Sequence, residues 1–499
     1  MAIIGIDIGT TGAKSTIFDE RGNVKSFAYQ EYNLTTNNLD NYEIDPNIIK
    51  NTVKKIVLES VKKYDNDDIL AICATSFGES IVLLDSKDEV LCNSMIYMDK
   101  RGVKECSEIE LHFSRDKISI TTGLLPHPMY TAPKILWLKE NRPTIFKKTK
   151  KIFFIANYIL YLLGGEHVTD YSLASRSMAF DVINKKWWSD MLEYIGIDEE
   201  FFPKPVPTGS IVGTILPDVA KEYGLRKGVK LVIGGHDQII SAIGSGILNE
   251  GMTANVIGTV DCIIPVFSLD QIKTSLTKYN FPCVPYLKDK SYITYAFNIT
   301  GGSILKWFRD NFAIDLSISA KKGGLNVYNL LDKLATVHPT NILVLPHFAG
   351  SGTPYMDVAS KGAIVGLNFN VNRNQLYRAF LEGETYEMKV NIDCLEDSGI
   401  IINELRTVGG GAKSDLWMQI RADILGKKVV SLNIEEAGTV GSAILAGTAI
   451  GIYSSIKEAE NELVKEKKIY YPNPNNNDIY QANYERYKKL YLNLKDVVS

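Results

Sequence analysis

Residues suited to phosphate chemistry come first in the chain, within its opening fourteen positions. The segment reads Asp7-Ile8-Gly9-Thr10-Thr11-Gly12-Ala13-Lys14, a carboxylate in an apolar run followed by a Gly-Thr turn and a lysine. Backbone N–H groups and hydroxyls in such a turn form a nest for phosphate oxygens. Asp7 could hold a hydrated Mg²⁺, and Lys14 could neutralise phosphate charge. The alternative interpretation is a β-hairpin whose glycines serve only the turn.

A second segment could supply a general base. It reads Gly234-Gly235-His236-Asp237-Gln238 and places a carboxylate between an apolar strand pattern and a helix pattern. A base at such a strand end could take the proton of a substrate hydroxyl during phosphoryl transfer. The alternative is that Asp237 simply caps its helix. No Gly-x-Ser-x-Gly elbow occurs in the chain, which argues against an α/β-hydrolase despite the His-Asp pair.

A third segment, Gly409-Gly410-Gly411-Ala412-Lys413-Ser414, lies between a strand pattern and a helix pattern. It lacks the Gly-x-x-x-x-Gly-Lys spacing of a Walker motif. A glycine run in this position still lets the backbone approach a flat or anionic ligand closely. Tight packing of the strand against the helix would explain the same glycines equally well.

Strands must position all three segments. Apolar, β-branched runs predict buried strands that end at the chemistry-bearing turns; they cover 3–8, 14–19, 69–74, 82–85, 230–233 and 405–408. Helical patterns occur between and after them; they cover 130–141, 157–163, 238–247, 375–394, 415–425 and 438–451. The alternation of the two patterns predicts an α/β protein.

A faint internal duplication divides the chain. Ile8-Gly9-Thr10 recurs as Ile257-Gly258-Thr259, and each copy follows one apolar strand pattern and precedes another. We therefore expect one lobe to begin at Met1 and a second near Gly251. A chain of 499 residues has room for roughly two to four domains. We predict two, residues 1–246 and residues 247–499.

The charge distribution argues against nucleic-acid and membrane partners. The formal net charge is −3, and the one basic run, Lys147–Lys151, is short and is interpreted as a solvated face. Phosphate backbones and anionic lipids call for larger basic clusters. The longest apolar stretch, residues 152–163, is interrupted by Asn157 and is too short to span a bilayer.

The cysteines favour a reducing compartment. None of the six forms a Cys-x-x-Cys pair or joins a histidine cluster, which argues against a zinc site and a disulfide framework. The N-terminus enters a strand pattern at once, so we expect no signal peptide and predict a cytoplasmic protein. Near the C-terminus, tyrosines at helical spacing predict a packing stripe; they are Tyr480, Tyr484, Tyr487 and Tyr491.

Taken in order, these segments closely resemble the FGGY family of carbohydrate kinases, within the sugar kinase–Hsp70–actin superfamily. The order is Asp-x-Gly-Thr-Thr, then Gly-Gly-x-Asp, then Gly-Thr, then Gly-Gly-Gly-Ala-Lys-Ser, and the resemblance covers nearly the whole chain. The stretches 99–101, 122–137, 378–383 and 417–426 agree with it. The resemblance implies two actin-like (ribonuclease H-like) α/β lobes that close over a cleft, with sugar on the first lobe and nucleotide on the second.

The resemblance also implies roles for single residues. Asp7 matches the carboxylate near the metal, and Asp237 matches the catalytic base. ATP and Mg²⁺ are the expected cofactors. The residues expected to hold the nucleotide and its phosphates are Thr10, Thr11, Lys14, Gly258, Thr259, Gly302, Gly410, Gly411 and Ser414.

The sugar-contacting loop of the family matches Ser76-Phe77-Gly78-Glu79. Glycerol kinases carry Arg-Glu there and this chain keeps only the Glu, while the Met-His-Gly usual in xylulokinases is absent. The Gly-Glu pair with Gly-Gly-His-Asp is similar to L-fuculose kinases and autoinducer-2 kinases. Relatives place Asp99 near the same pocket, and Asn157 replaces a common Asp. The expected sugar contacts are Phe77, Gly78, Glu79, Asp99, Asp237 and Gln238.

The function implied is transfer of the γ-phosphate of ATP to a small sugar. A ketose such as fuculose or xylulose ranks first, and a polyol, glycerol or other linear sugar second. Two rivals stay open, an actin- or Hsp70-like ATPase and a non-catalytic sugar sensor. The expected partners are the small-molecule sugar and a second copy of the chain in a homodimer, with no nucleic acid and no membrane. The sequence determines neither the sugar nor the oligomeric state.

Overall fold

The computed structural model describes residues 1–36, 41–66, 68–268 and 278–498, and the chain forms two compact units. The first unit comprises residues 1–248, 282–293 and 436–464, and the second comprises residues 249–281, 294–435 and 465–499.

Strands and helices alternate through both units, as the sequence patterns predict. The strands are Ala2–Ile8, Gly12–Asp19, Val24–Glu31, Thr35–Thr36, Tyr42–Ile44, Ile69–Ser76, Ile81–Leu84, Ser94–Met95, Lys151–Phe154, Val168–Asp170, Phe180–Asp181, Lys186–Trp187, Lys204–Val206, Ile211–Thr214, Lys230–His236, Gly251–Ile257, Asp261–Ser268, Val284–Pro285, Ser291–Ile293, Ala296–Asn298, Leu343–Leu345, Ala363–Val365, Ile402–Val408, Lys428–Leu432 and Glu466–Tyr470.

The six predicted helical ranges are all present and differ from the expectations only at their ends, while many further α-helices were not predicted. They are Pro46–Tyr64, Val103–Phe113, Arg115–Thr122, Thr131–Asn141, Pro143–Lys148, Ile155–Leu163, Tyr171–Ser175, Ser189–Ile195, Pro217–Glu222, Asp237–Gly244, Gly302–Phe312, Ile314–Lys322, Val327–Leu334, Arg373–Asp397, Asp415–Leu425, Ala437–Ala449, Ile456–Leu463, Asn477–Tyr487 and Leu490–Val498.

The first unit is built on a mixed sheet of six strands. The opening strand, Ala2–Ile8, is completely apolar apart from Asp7 and glycine, and it lies inside this sheet. Two antiparallel neighbours follow it on one side, and on the other side it pairs in parallel with Ile69–Ser76. That strand pairs in parallel with Lys230–His236, which pairs antiparallel with Ile211–Thr214.

The first crossover helix shows how local sequence sets these elements. Asp45 accepts a hydrogen bond from the Asn47 N–H, and Pro46 occupies the first turn, so the chain has a clear start signal. Apolar residues three and four positions apart then form one buried stripe, which includes Ile49, Val53, Ile56 and Val57. This stripe packs the helix on the strands Gly12–Asp19 and Val24–Glu31.

The second unit repeats this topology. Gly251–Ile257 pairs antiparallel with Asp261–Ser268, which pairs antiparallel with Ala296–Asn298. On its other side Gly251–Ile257 pairs in parallel with Ile402–Val408. Lys428–Leu432 continues the sheet in parallel, and Glu466–Tyr470 closes it antiparallel. Strand order and strand directions therefore match those of the first unit, which confirms the predicted duplication.

The two compact units differ from the predicted division in two segments. The prediction cuts the chain once, into 1–246 and 247–499, whereas residues 282–293 and 436–464 return to the first unit. The helix Ala437–Ala449 packs there against the strand Ala2–Ile8 and the helix Asp237–Gly244. Glycine makes the approach possible, because a Cβ on Gly441 would lie 2.0 Å from the Ile240 carbonyl oxygen.

The tyrosine stripe serves packing, as predicted, but on two helices instead of one. Tyr480 and Tyr487 are buried, and their hydroxyls donate to Glu382 and Glu387 on the long helix Arg373–Asp397. Tyr491 lies in the following helix, Leu490–Val498, and stacks on the Tyr355 ring. Among the described residues, no helix is both long and apolar enough to cross a bilayer.

Candidate active site

Three parallel strands of the first unit bring Asp7, the loop Phe77-Gly78-Glu79 and Asp237 to one sheet edge. Parallel strands place their carboxyl ends together, where ligands of open α/β sheets bind. The Phe77 N–H donates to the Ile8 carbonyl oxygen at 3.0 Å, and the Thr75 hydroxyl donates to the Gly235 carbonyl oxygen at 2.6 Å. These bonds tie the three strand ends together, so the loops that follow them start from fixed positions.

Asp237 lies at the edge formed by these strand ends, as the first residue of the helix Asp237–Gly244. The residue before it occupies the N-cap position, so the predicted alternative of an N-cap aspartate does not describe this geometry. Its Oδ1 accepts a hydrogen bond from the Gln238 N–H at 2.6 Å, and the side chain is 25% exposed. A carboxylate with this much access can meet a hydroxyl of a bound ligand.

The surroundings of Asp237 make it a stronger base than an ordinary aspartate. Burial, joined by the negative charge of Asp7 and more weakly by Glu79, raises the pKa of Asp237 to about 8. The Gln238 N–H and the positive charge of Arg176 oppose the shift. A carboxylate with a pKa near the working pH combines basicity with a sizeable deprotonated fraction, which is what general-base catalysis needs.

Gln238 offers an open acceptor next to Asp237. Its Oε1 is buried and has no hydrogen-bond partner among the residues that the structure describes. Buried polar atoms are normally satisfied, so an exception beside a candidate base indicates a place for a ligand donor. A sugar hydroxyl would fit this need.

Glu79 is held in an unusual backbone conformation. Its φ is 66°, in the left-handed region that residues other than glycine and asparagine rarely adopt. The side chain is buried and accepts a hydrogen bond from Arg176 Nε at 2.6 Å. Thr131 Oγ1 donates to the Glu79 carbonyl oxygen at 2.8 Å. The carboxylate is thus a fixed, paired charge and does not move freely in a solvated loop.

Gly78 is required by close packing. A Cβ there would lie 2.6 Å from the His236 ring and 2.9 Å from Arg176 Cγ, so no side chain fits. Phe77, before it, is buried. Burial and the charge of Arg176 hold the pKa of His236 well below its usual range, so this histidine is neutral. Gly78 therefore allows the Glu79 loop to lie directly against the strand that carries Asp237.

Asp99 lies deeper than predicted. Its side chain is fully buried, and its oxygens accept hydrogen bonds from Arg101 Nε at 2.8 Å and from the Tyr42 N–H at 2.8 Å. Burial works to raise the pKa of Asp99, but these bonds and the charge of Arg101 bring it below its usual value. Its oxygens are occupied by protein donors, so its predicted contact with the sugar stays a prediction.

The sequence analysis did not assign Arg176, Lys134 and Tyr97 to the candidate site. Arg176 is buried in a run of small and apolar residues, where a charge calls for a partner. Lys134 is also buried and donates to the Ile96 carbonyl oxygen; burial lowers its pKa to about 8, with Glu79 and Asp99 opposing. Tyr97 is 41% exposed, and burial followed by Glu79 and Asp237 raises its pKa. Of these three, only Arg176 had a sequence signal, its charge directly after the Ala- and Ser-containing segment 171–175.

The first Gly-Thr turn is braced at the surface of the same unit. The Gly9 N–H donates to the Gly12 carbonyl oxygen at 2.9 Å, and Tyr32 donates to the Gly9 carbonyl oxygen. Thr10 is half-buried and Thr11 is exposed. Thr10 and Thr11 therefore lie at the surface of a braced turn, as the predicted phosphate loop requires.

Lys14 follows this turn and is paired. Its ammonium lies 2.5 Å from Glu436 Oε2. Although burial works to lower it, the charges of Asp7 and Glu436 raise the pKa of Lys14. The lysine is therefore a fixed positive charge beside the turn.

Asp7 suits a cation carried in with a phosphate. Burial raises the pKa of Asp7 to about 6, with Lys14 lowering it and Glu436 raising it. A Cβ on Gly438 would lie 2.9 Å from Asp7 Oδ2, so the helix Ala437–Ala449 begins directly against the carboxylate. Within the described residues no group of three His, Cys, Asp or Glu side chains could hold a metal ion. Mg²⁺ bound by one carboxylate plus nucleotide phosphates fits this donor set.

The second unit contains a cavity that gathers the predicted nucleotide residues. Its volume is about 330 Å³, within the usual range for small-molecule sites. Five predicted residues line it: Gly258, Gly302, Gly410, Gly411 and Ser414. Thr259 lies beside it, and its carbonyl oxygen accepts from Ser303 Oγ at 2.9 Å. Asn326, Tyr328, Asn329, Asp332 and Tyr377 also line it and were not predicted.

The three glycines of the Gly409–Gly411 run do different things. Gly409 has a φ of 93°, which favours glycine. A Cβ on Gly411 would lie 2.4 Å from Ile257 Cγ2, so Gly411 serves packing. A Cβ on Gly410 would meet nothing within 4 Å. Gly410 alone faces open space in the cavity.

Comparison with known proteins agrees with this geometry. A family model described as the N-terminal domain of the FGGY family of carbohydrate kinases matches residues 2–244. The C-terminal domain of the same family matches residues 253–450. Together the two matches cover most of the chain.

Two relatives and one solved structure resemble the chain over nearly its full length. Xylulose kinase of Bacillus subtilis (strain 168) is 29% identical over 99% of this chain and 97% of its own. Glycerol kinase of Saccharolobus islandicus (strain L.S.2.15 / Lassen #1) is 30% identical over 91% of this chain and 89% of its own. The ligand-bound xylulose kinase structure from Lactobacillus acidophilus superimposes with a TM-score of 0.90 at 25% identity, covering 100% and 99%.

Proposed function

The chain belongs to the FGGY family of carbohydrate kinases, and on that premise we propose that it phosphorylates a ketose, with xylulose as the first candidate. Membership of this family implies an ATP-dependent sugar phosphotransferase. It therefore argues against both alternative functions, an actin- or Hsp70-like ATPase and a non-catalytic sugar sensor. The choice of xylulose is supported by the xylulose kinases among its relatives. The relatives described above give fuculose no such support.

One observation carries the proposal at the level of chemistry. Asp237, with its pKa raised to about 8, lies next to the unsatisfied Gln238 Oε1 and in the field of Glu79. In the proposed reaction Asp237 accepts the proton of the attacking sugar hydroxyl. Gln238 accepts a hydrogen bond from a neighbouring hydroxyl, and Glu79 orients a further one. These three groups suit a neutral molecule with several adjacent hydroxyls.

The phosphate side of the reaction is assigned to charges and backbone donors. Backbone N–H groups at Thr10 and Thr11 and the ammonium of Lys14 meet the phosphate being transferred. Asp7 would hold Mg²⁺, which when bound neutralises phosphate charge. The cavity lined by Gly410 would hold the nucleotide. Such catalysis depends mostly on positioning and on charge stabilisation.

A second candidate is a polyol such as glycerol. It is favoured by the glycerol kinase of Saccharolobus islandicus, which has 30% identity to this chain. Glu79 also occupies the position of the Glu in the Arg-Glu pair of glycerol kinases. Both candidates are neutral and hydroxyl-rich, so Asp237 and Gln238 suit either one.

The deciding experiment is a kinase assay with coupled ADP detection and mass analysis of the product. The panel contains D- and L-xylulose, ribulose, L-fuculose, glycerol and an aldonate, each with MgATP. We expect the highest kcat/KM for one xylulose enantiomer, at least about ten-fold above glycerol. A higher value for glycerol would favour the second candidate. ADP without any phosphorylated product would refute both.

The cytoplasmic location and the homodimer stay predictions. Size-exclusion chromatography with light scattering would test the homodimer.

A further inference from the structure

The short helix Tyr171–Ser175 lies between the two groups proposed to meet the sugar. Ser172 lies in this helix and Arg176 directly follows its last residue. The two are four positions apart, which is the spacing of neighbours on one helix face. Ser172 Oγ accepts a hydrogen bond from the His236 N–H at 2.8 Å, directly before Asp237. Arg176 Nε donates to Glu79 Oε1 at 2.6 Å. One face of one short element therefore contacts both sides of the candidate site.

The strand Lys230–His236, which leads into Asp237, depends on the hydrogen bond to Ser172. Its pairing with the strand Ile69–Ser76 shifts in register between Ile233 and His236. Over this stretch it advances by three residues while Ile69–Ser76 advances by two. A β-bulge of this kind interrupts the ladder and turns the following residue. The His236 N–H at the far side of the bulge is buried and bonds to Ser172 Oγ. The backbone direction at Asp237 therefore depends on the hydrogen bond from the His236 N–H to the Ser172 side chain.

Asp170 fixes that acceptor. Ser172 Oγ donates its proton to Asp170 Oδ2 at 2.6 Å, which leaves the oxygen lone pairs aimed at His236. The same carboxylate accepts from the Ser172 N–H at 2.8 Å and from Thr208 Oγ1 at 2.9 Å. Asp170 and Ser172 are completely buried. A hydroxyl with one partner on each side cannot rotate without losing both bonds.

The packing leaves no room for an alternative arrangement. A Cβ on Gly235 would lie 2.4 Å from Ser172 Oγ and 2.7 Å from Asp170 Oδ2. At the other end, Gly78 is wedged between the His236 ring and Arg176. Both glycines bring the strand end and the Glu79 loop into direct contact with the helix that holds them.

We propose that Ser172 is a positioning residue: its hydroxyl, oriented by Asp170, fixes the His236 backbone and through it the aim of Asp237. This inference rests on the proposed function, because it assigns Asp237 as the base. Ser172 does not touch the reacting atoms, so its loss should lower kcat while the KM for ATP is unchanged.

The test uses Ser172→Ala and a matched control, Ser175→Ala. Ser175 is buried in the same helix, and its hydroxyl donates to the Ser172 carbonyl oxygen at 2.8 Å without reaching the strand. We expect Ser172→Ala to lower kcat by about ten-fold or more, and Ser175→Ala to leave it within about two-fold. In an Asp237→Asn background, Ser172→Ala should have no further effect, because it acts through Asp237. Independent, additive losses would overturn the proposal.

A measurement without turnover separates this inference from the proposed function. Hydrogen exchange of the 234–238 segment should quicken by about ten-fold in Ser172→Ala and not in Ser175→Ala. Unchanged exchange would overturn the inference, whatever the activity. A wild-type protein that phosphorylates no sugar would refute the proposed function, while exchange would still decide this inference. Should Ser172→Ala fail to fold, Ser172→Cys, whose sulfur is only a weak hydrogen-bond acceptor, weakens the same bond and must give the same result.

Discussion

The Lys14 ammonium lies 2.5 Å from Glu436 Oε2, although 422 positions separate the two residues in the chain. The lysine expected to meet a phosphate therefore already has an anionic partner. Both side chains are about one third exposed, so solvent weakens the pair but does not remove it. A phosphate must compete with Glu436 for this charge or share it.

Glu436→Gln should therefore strengthen nucleotide binding. The uncompensated charge of Lys14 would attract phosphates more strongly, and the KM for ATP should fall about two- to five-fold at low ionic strength. Lys14→Met should raise the KM for ATP. Steady-state kinetics at two salt concentrations gives both values, with Glu462→Gln, an exposed glutamate of the same unit, as control. An unchanged KM in both variants would remove the pair from nucleotide binding.

Asp237→Asn should abolish most turnover without weakening binding. Loss of a general base costs about 100-fold or more in kcat, while the amide keeps the size of the side chain. The measurement is kcat with the best sugar of the panel, alongside equilibrium binding of ATP and sugar. Asp218→Asn, an exposed aspartate in the first turn of another helix, is the control. Near-wild-type turnover in Asp237→Asn would exclude Asp237 as the base.

The raised pKa of Asp237 also predicts a pH-dependent stability. The native state keeps this carboxyl protonated up to about pH 8, whereas the unfolded chain loses the proton near the ordinary value of 3.8. Between these values the native state binds more protons, so this group lowers the free energy of unfolding as pH rises. Asp237→Asn should therefore unfold at higher denaturant than wild type at pH 8. The difference should shrink towards pH 4, and a constant difference would contradict the shift.

Gly410→Val should weaken nucleotide binding selectively. A side chain at this position meets only open cavity, so we expect about a ten-fold or larger rise in the KM for ATP and a sugar KM within about two-fold. Gly411→Val is the contrasting variant, because its side chain would strike Ile257 and Trp417 and lower the melting temperature. A rise in the sugar KM equal to that for ATP, in folded Gly410→Val, would argue against the nucleotide assignment.

Glu79→Gln should reduce use of the sugar without unfolding the protein. The amide oxygen can still accept from Arg176, but the charge-assisted bond to a sugar hydroxyl is lost, so kcat/KM should fall about ten- to hundred-fold. Sugar-independent ATP hydrolysis should be unchanged.

Two further variants serve as comparisons for the kinetics of Glu79→Gln. Glu79→Ala would also remove the partner of a buried arginine, at a cost of about 3–5 kcal/mol in stability, so it mixes two effects. Glu89→Gln, at an exposed position, is the neutral control. A kcat/KM of Glu79→Gln within about two-fold of wild type would show that Glu79 does not contact the sugar.

The sequence alone determined the strands that lead into the chemistry-bearing turns, some of the helices, the duplication and the identity of those turns. These features leave local signals, because apolar periodicity, β-branched runs and glycine turns act over a few residues. The strand Ala2–Ile8, the turn after it and the helix Asp415–Leu425 are readable for that reason. The matching of Gly258 to Gly9 also needed only the sequence, because both turns follow a buried strand.

Only the tertiary structure decided which distant groups share a site and what each one does there. The pairing of Lys14 with Glu436, and of Glu79 with Arg176, joins residues with no local relation in the chain. In sequence the glycines at 410 and 411 are equivalent, yet one faces open space and the other is locked by packing. The raised pKa of Asp237 likewise depends on burial and on Asp7, 230 positions earlier. Burial and electrostatic fields are properties of the packed chain, so no local pattern encodes them.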